Sequence, residues 1–254
     1  MKFGLIGHPI EHSLSPALFR AGYDGRYPYE LIQTPDFEEA YARFLTDYDG
    51  INVTAPFKEL AIRKADILSD ECQAIGATNL LVKTSEGVKA YNSDYLGVRL
   101  WIKMVSDGLK SVLPPKVLIV GTGGAGKAAA EAARSLGCDV ILMNRTLHSK
   151  EIRPLSEFGE AFRIADIIIY NLPVRLPQLD HLGIEDFIEE KPKHILEANY
   201  RNPSFDKELI LKLKGLHSTF EYTAGETWLL LQALTGYEIF TGERPDLEKM
   251  TACL

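Results

Sequence analysis

The chain has 254 residues, 46% of them hydrophobic, and its 28 basic and 35 acidic side chains give a formal charge of -7. That length suits two compact lobes with full cores, and scattered, outnumbered basic residues argue against a nucleic-acid-binding surface. No apolar run is long enough to cross a bilayer or serve as a signal core, and Cys72, Cys138 and Cys253 lack CxxC spacing, so a cytoplasmic protein with free thiols and no metal is expected.

Strand-like and helix-like segments alternate from the start, which predicts α/β layers. Lys2 to Ile6 reads as a strand. Ser15-Pro16 reads as an N-cap with proline at the first helical position, opening a helix through Ala21. Tyr29 to Gln33 is a predicted strand, Asp36 to Leu45 a helix, Gly50 to Val53 a strand and Lys58 to Ile67 a helix. Ala77 to Lys83 and Val88 to Tyr91 predict two strands turning at Glu86-Gly87. Asp94 to Val105 has helical periodicity through Leu96, Leu100 and Met104. Pro114-Pro115 then interrupts the chain and marks a change of lobe.

Lys116 to Val120 is a β-branched apolar run suited to a strand buried on both faces. An alanine-rich helix follows from Ala125 to Ser135. Val140 to Met143, Asp166 to Asn171 and His194 to Glu197 read as further strands, in the rhythm of a nucleotide-binding sheet. Glu226 to Phe240 is helical and is expected to return to the first lobe. The expected architecture is α/β and two-lobed. An N-terminal α/β substrate domain (1–95, completed by 226–254) joins a Rossmann-type dinucleotide-binding domain (96–225).

Gly121-Thr122-Gly123-Gly124-Ala125-Gly126-Lys127 has G-x-G-x-x-G spacing between a strand and a helix. Glycines there let the backbone turn tightly and approach a pyrophosphate at the helix N-terminus. Ala128 follows Lys127, so this is not a Walker A loop. About 20 residues on, an NAD-binding fold would carry an acid for the ribose hydroxyl. Here Asn144-Arg145-Thr146 stands instead, and Arg145 would attract a 2′-phosphate, which favours NADP over NAD.

Upstream, polar groups cluster at predicted junctions. Ser13 and Ser15 flank a helix start, a good place for an anion. Asn52, Thr54 and Lys58 surround a strand-to-helix turn. Asn79 lies in Gly76-Ala77-Thr78-Asn79-Leu80, and Asn92 and Asp94 sit where a strand gives way to a helix. Lys58 with Asp94 would supply a proton donor beside a hydride donor, as carbonyl reduction needs.

At these residues the sequence resembles the shikimate dehydrogenase family. The family's G-x-P-x-x-H-S-x-S-P is matched by Gly7-His8-Pro9, His12-Ser13 and Ser15-Pro16. Its N-V-T-x-P-x-K is matched by Asn52-Val53-Thr54, Pro56 and Lys58, and its G-A-x-N by Gly76 to Asn79. Its N-T-D-x-x-G is matched by Asn92, Asp94 and Gly97, with Ser93 for threonine. Near the end, Gly225, Leu229 and Gln232 match G-x-x-M-L-x-x-Q, with Trp228 for methionine. The chain departs at Phe19-Arg20, where the family has His-Asn, and at Tyr170-Asn171-Leu172-Pro173, where it has N-A-T. Glu197 to Tyr200 resembles D-x-x-Y, with Pro203 one position late.

The resemblance implies NADPH-dependent reduction of 3-dehydroshikimate to shikimate. It implies Lys58 and Asp94 as the catalytic pair, and Ser13 and Ser15 at the substrate carboxylate. Asn52, Thr54, Asn79, Asn92, Tyr200 and Gln232 complete the substrate set it implies. Gly121, Gly123, Gly124, Ala125, Gly126, Asn144, Arg145, Thr146 and Gly225 form the cofactor set. An ordinary lysine is a poor base at neutral pH, so a proton-transfer role and an electrostatic role for Lys58 both stay open. The alternatives are a quinate/shikimate dehydrogenase using NAD or NADP, and a non-catalytic ligand sensor on the same fold. The expected partner is a small-molecule substrate, with no nucleic acid and no membrane, and a homodimer is the assembly considered. Hydride transfer also requires the glycine loop to face Lys58 and Asp94 across a groove.

Overall fold

The computed structural model describes residues 1–109, 113–188 and 191–254. In chain order its strands and helices are β1 (Phe3–Gly7), α1 (Ser15–Gly22), β2 (Tyr29–Gln33), α2 (Phe37–Asp47), β3 (Gly50–Val53), α3 (Lys58–Ala61), β4 (Ile67–Leu68), α4 (Asp70–Ile75), β5 (Leu80–Thr84), β6 (Gly87–Tyr91) and α5 (Ser93–Gly108). There follow β7 (Lys116–Val120), α6 (Gly124–Ser135), β8 (Asp139–Asn144), β9 (Ile152–Pro154), α7 (Phe158–Ile164), β10 (Ile167–Tyr170), β11 (Lys193–Glu197), α8 (Lys207–Leu216), β12 (Phe220–Thr223), α9 (Gly225–Thr241) and α10 (Leu247–Thr251).

Among the described residues the strands form two six-stranded sheets, and the chain divides into two compact units. One unit is Met1–Gly97 with Leu229–Leu254, and the other is Val98–Trp228. The division falls inside α5 and inside α9 rather than at Pro114-Pro115, because α5 continues as helix to Gly108.

In the first unit the sheet order is β2-β1-β3-β5-β6-β4. β1 runs parallel to β2 and β3, while β5 is antiparallel to β3 and β6. One face buries Ile6, Ile32, Phe44, Ile51, Val53 and Leu81 under α2. Asp36 caps α2 through Oδ1, which accepts from the backbone of Glu38 (2.9 Å) and Glu39 (3.2 Å), a contact typically worth about 1 kcal/mol. The other face packs Phe3, Phe19, Leu80, Ala233, Tyr237 and Phe240, so α1 and the C-terminal part of α9 close it.

Two predicted features of this unit differ. The helix expected from Lys58 to Ile67 stops at Ala61, with a 3-10 turn over Ile62–Lys64. Ile67 and Leu68 instead pair with Lys89 and Ala90 of β6, so a sheet partner outside the segment overrides its helical pattern. Ser15 does not cap α1. Leu14 occupies the cap position without a side-chain bond, Ser15 is already helical, and Ser13 Oγ accepts the Ser15 N–H at 3.3 Å.

The second sheet is wholly parallel, in the order β12-β11-β10-β7-β8-β9. Counted from β7, this is the doubly wound order of dinucleotide-binding folds, with the switch point between β7 and β10. β7 and β10 carry Val117–Val120 and Ile167–Tyr170, all buried, as a central pair covered on both faces requires.

Lys193 opens β11 and is 1% exposed. Its Nζ donates to the carbonyls of Phe162 (2.6 Å), Arg163 (3.2 Å) and Ala165 (2.5 Å), closing the C-terminal end of α7. Burial, with Lys191 as a second cause, pushes its ammonium down to about 7 from 10.5. Between those values only the unfolded chain holds the proton, so the penalty of burying this charge is full below pH 7 and fades as pH rises toward 10.5. Lys193→Met fills the space but strips donors from three buried carbonyls. It should lower unfolding stability by about 2–4 kcal/mol at about pH 10, where the charge penalty has faded, and by less at neutral pH, where the variant also escapes that penalty. The pH-linked rise should vanish from its denaturant midpoints. An unchanged midpoint at about pH 10 would assign Lys193 no structural role.

Candidate active site

The topology of the first sheet gathers residues from distant segments at one of its ends. β1, β3 and β6 all finish there and β5 begins there, since Asn52 lies opposite Leu80 and Leu80 opposite Tyr91. The loop after β1 carries Ser13, and the loop after β3 carries Thr54 and leads to Lys58. The two are clasped by backbone bonds from Thr54 to Ile6 (2.9 Å) and from His8 to Ala55 (3.2 Å). Asn79 precedes β5, and Asn92 follows β6. The Thr78 N–H donates to the Lys58 carbonyl at 3.2 Å, which ties the start of α3 to the Asn79 segment.

Lys58 Nζ donates to Asp94 Oδ2 at 2.5 Å across 36 residues of sequence. The pair is neither buried nor free in solvent, its side chains being 27% and 19% exposed. A partly desolvated ion pair keeps a proton donor and an acceptor in fixed relation while leaving both open to a ligand.

Around this pair runs a continuous polar chain. Tyr29 donates to Asn52 Oδ1 at 2.8 Å, and Asn52 Nδ2 donates to the Asn79 carbonyl at 3.4 Å. Asn79 Oδ1 accepts the Ser93 N–H at 2.7 Å, and Ser93 Oγ contacts both Asn79 Oδ1 (3.2 Å) and the Gln232 amide (2.9 Å). Asn92 Nδ2 donates to the Ala77 carbonyl at 3.1 Å, while its Oδ1 caps α5 through the Tyr95 N–H at 3.1 Å. Both Asn52 and Asn92 are buried, so internal bonds occupy their side chains.

Ser15 lies beside two phenols. Tyr237 donates to its carbonyl at 3.0 Å, and the Tyr29 hydroxyl also faces it. Burial pushes both phenols up, so each stays a neutral donor. These tyrosines are absent from the sequence-derived set, and so is the buried Ser93 hydroxyl. The only sequence signal for Ser93 is its place between Asn92 and Asp94.

In the second unit the glycine loop sits at the switch point, after β7. Gly121 has φ +93° and donates its N–H to Met143 at 2.8 Å. A Cβ on Gly126 would lie 1.9 Å from the Gly121 carbonyl oxygen, so only glycine permits this turn into α6. Gly123 and Gly124 are exposed, and a Cβ on either would meet nothing within 4 Å. Their backbone is therefore open to a diphosphate at the N-terminus of α6. Thr122 Oγ1 and Asn171 Oδ1 are buried here without a hydrogen-bond partner, as expected where a polar ligand completes the shell.

Asn144 ends β8, with its Nδ2 on the Thr146 carbonyl at 3.3 Å, and Arg145 and Thr146 are exposed. The departure at Tyr170 has a structural reason. Its buried hydroxyl donates to the Val174 carbonyl (2.7 Å) and accepts the Leu176 N–H (3.0 Å), pinning the loop after β10. The fully buried Glu197 carboxylate accepts from Ser204 (2.5 Å), Phe205 (3.2 Å) and the Tyr222 hydroxyl (2.8 Å), which shapes the loop carrying Tyr200. Gly225 abuts that loop, where a Cβ would lie 2.9 Å from the Tyr200 nitrogen. Among the described residues no group of three or more His, Cys, Asp or Glu could hold a metal ion, and no helix is long and apolar enough to cross a membrane.

A family model described as the shikimate dehydrogenase substrate binding domain matches residues 5–81. A second, described as the D-isomer specific 2-hydroxyacid dehydrogenase, NAD binding domain, matches residues 78–196. A shikimate dehydrogenase of Thermotoga petrophila is 31% identical over 241 residues, covering 92% of this chain and 83% of the relative. A shikimate dehydrogenase (NADP(+)) of Ignicoccus hospitalis is 31% identical over 261 residues, covering 96% and 95%. The crystal structure of shikimate 5-dehydrogenase from Thermus thermophilus, in complex with NADP(H) and shikimate, aligns with a TM-score of 0.79 at 27% identity, over 100% of this chain and 98% of that one.

Proposed function

This chain belongs to the shikimate dehydrogenase family, and we propose that it carries out the reversible, NADP(H)-dependent reduction of 3-dehydroshikimate to shikimate in aromatic amino-acid biosynthesis. The observation that carries this reading is the Lys58–Asp94 pair at 2.5 Å, set among hydroxyl and amide groups at one end of the first sheet.

Bound NADPH supplies a hydride to the ring ketone carbon. The chain's own residues manage the rest. Lys58 Nζ faces the ketone oxygen, holds the developing negative charge and directs a proton to it. Asp94 keeps the ammonium in place and accepts a hydrogen bond from a neighbouring ring hydroxyl. Ser13 and Ser15 hold the carboxylate, with Tyr29 and Tyr237 fixing Ser15 from behind. Thr54, Asn79 and Gln232 take ring hydroxyls. Asn52 and Asn92 act by positioning, since their amides are already bonded to Tyr29, Asn79, Ala77 and Tyr95.

The glycine loop Gly121 to Gly126 would seat the diphosphate. Asn144, Arg145 and Thr146 would hold the 2′-phosphate, Gly225 would line the nicotinamide side, and Tyr200, on the loop that Gly225 abuts, would reach the substrate. Three free thiols fit a reducing cytoplasm.

Oxidation of shikimate and of quinate, each with NADP⁺ and with NAD⁺, tests the assignment. Turnover is expected to be highest with shikimate and NADP⁺. Faster turnover of quinate with NAD⁺ would replace it by a quinate dehydrogenase, and a tightly bound acid without turnover by a sensor. Asp94→Asn keeps the shape but removes the charge partner, so it should lower kcat by at least tenfold, on the order expected for a group acting on a general acid. Unchanged kinetics across pH would show that Lys58 and Asp94 do not act together.

A further inference from the structure

The Ser93 hydroxyl stands between two amide groups. Its Oγ is 3.2 Å from Asn79 Oδ1 and 2.9 Å from the amide end of Gln232 placed as Oε1. A serine hydroxyl carries one proton and cannot donate to two oxygens at once. Asn79 admits no alternative, because its Oδ1 receives the Ser93 backbone N–H at 2.7 Å and only oxygen can accept that bond. The Gln232 amide does have an alternative, since its oxygen and nitrogen ends have the same shape and follow the hydrogen-bond network. With Oε1 against Ser93, two of the three contacts compete for one proton. With Nε2 there, Nε2–H donates to Ser93 Oγ, Oγ–H donates to Asn79 Oδ1, and every contact carries its own proton. The second arrangement gains a hydrogen bond and removes an oxygen–oxygen approach.

We propose that Ser93 is a positioning residue that sets the polarity of this pocket. It directs the Asn79 Nδ2 donors and the Gln232 Oε1 acceptor away from itself, beside Lys58 and Asp94. The surroundings leave little slack. Ser93 is fully buried, and a Cβ on Gly97 would lie 2.6 Å from the Gln232 nitrogen. A Cβ on Gly236 would lie 3.1 Å from Ser93 Cβ, so the start of α5 and the middle of α9 meet almost backbone to backbone. The pocket then pairs donors (Asn79 Nδ2, Lys58 Nζ) with acceptors (Gln232 Oε1, Asp94). A hydroxylated ring satisfies both kinds, and the hydroxyl facing Gln232 must be the donor. A keto or ether oxygen at that position would face another acceptor and be disfavoured. This ligand preference rests on the substrate reading above, whereas the Ser93 geometry does not.

The test uses side-chain amide NMR on the full chain without ligand, together with kinetics. The Gln232 signals are assigned by their loss in Gln232→Glu. In the parent, one Gln232 Nε2 proton should exchange with solvent at least roughly tenfold more slowly than exposed glutamine amides, as a hydrogen-bonded proton does. That protection should disappear in Ser93→Ala and persist in Ser93→Thr. kcat/KM for 3-dehydroshikimate should fall roughly tenfold in Ser93→Ala, mainly through KM, and recover to within about threefold in Ser93→Thr. Free-amide exchange in the parent, or protection that survives in Ser93→Ala, overturns the proposal. A parent inactive on 3-dehydroshikimate overturns the substrate reading alone, because the exchange measurement still decides the role of Ser93.

Discussion

Lys58→Ala is expected to lower kcat for 3-dehydroshikimate reduction by about 10²–10⁴-fold, with KM changing far less. The asymmetry follows from where the charge is needed. In the ground state the ketone oxygen is neutral and one hydrogen bond from Lys58 adds little to binding. In the reduction that oxygen would take up negative charge, and an ammonium already held 2.5 Å from Asp94 would stabilise it without reorganising. Removing the lysine would also leave the partly exposed Asp94 carboxylate without this counter-charge near the proposed alkoxide, which would add repulsion to the lost attraction. Steady-state kinetics with saturating NADPH would measure the effect. A kcat within a few-fold of the parent would mean that Lys58 only braces Asp94.

Arg145→Ala should weaken NADPH binding roughly ten- to a hundred-fold, from the loss of a charge-assisted contact worth about 1.5–3 kcal/mol, and should barely change NADH binding. Arg145 is exposed just past the end of β8, the position that faces the adenosine ribose in this fold. An acid there would hold two ribose hydroxyls and repel a phosphate, and this chain has none between Asn144 and Thr146. The difference between the two cofactors isolates the 2′-phosphate, since they are alike elsewhere. Titration of both dinucleotides by fluorescence would read it. An equal loss for both would give Arg145 a structural role and would leave the preference for NADP to other residues.

The parts of the fold legible in the sequence were those whose hydrogen-bonding partners or packing faces leave a local pattern. β2, β3 and β7 start and end at the predicted residues: β3 and β7 are short β-branched or apolar runs, β2 a short run of strand formers around Glu30, and each has a turn residue at its edge. The glycine loop was legible because two of its positions, Gly121 at positive φ and Gly126 against the Gly121 carbonyl, admit almost no other residue. β9 and β12 were missed. They are three and four residues long, partly exposed, and owe their extended form to β8 and β11 beside them. α4 carried a readable signal, Ser69 before it and Gly76 in a left-handed conformation after it, but six residues hold too little periodicity to stand out. The structure brings together the segments that carry Gln232, which the family resemblance alone implied, and Lys58, Asn79 and Asp94, to which motif spacing pointed. Motif spacing could not point to Tyr29 or Tyr237, because the contact from Tyr237 to Ser15 spans 222 residues and comes only from the packing of α9 on the first sheet. Nor could spacing separate Asn52 and Asn92, whose amides are consumed internally, from groups left open to a ligand.

The most direct measurement is NADPH oxidation by the purified full chain with 3-dehydroshikimate, with the product identified and the run repeated with NADH. The account predicts stoichiometric formation of shikimate, far faster with NADPH than with NADH, and its near-complete loss in Lys58→Ala. No oxidation above the rate without acceptor, or oxidation that yields another product, would contradict it.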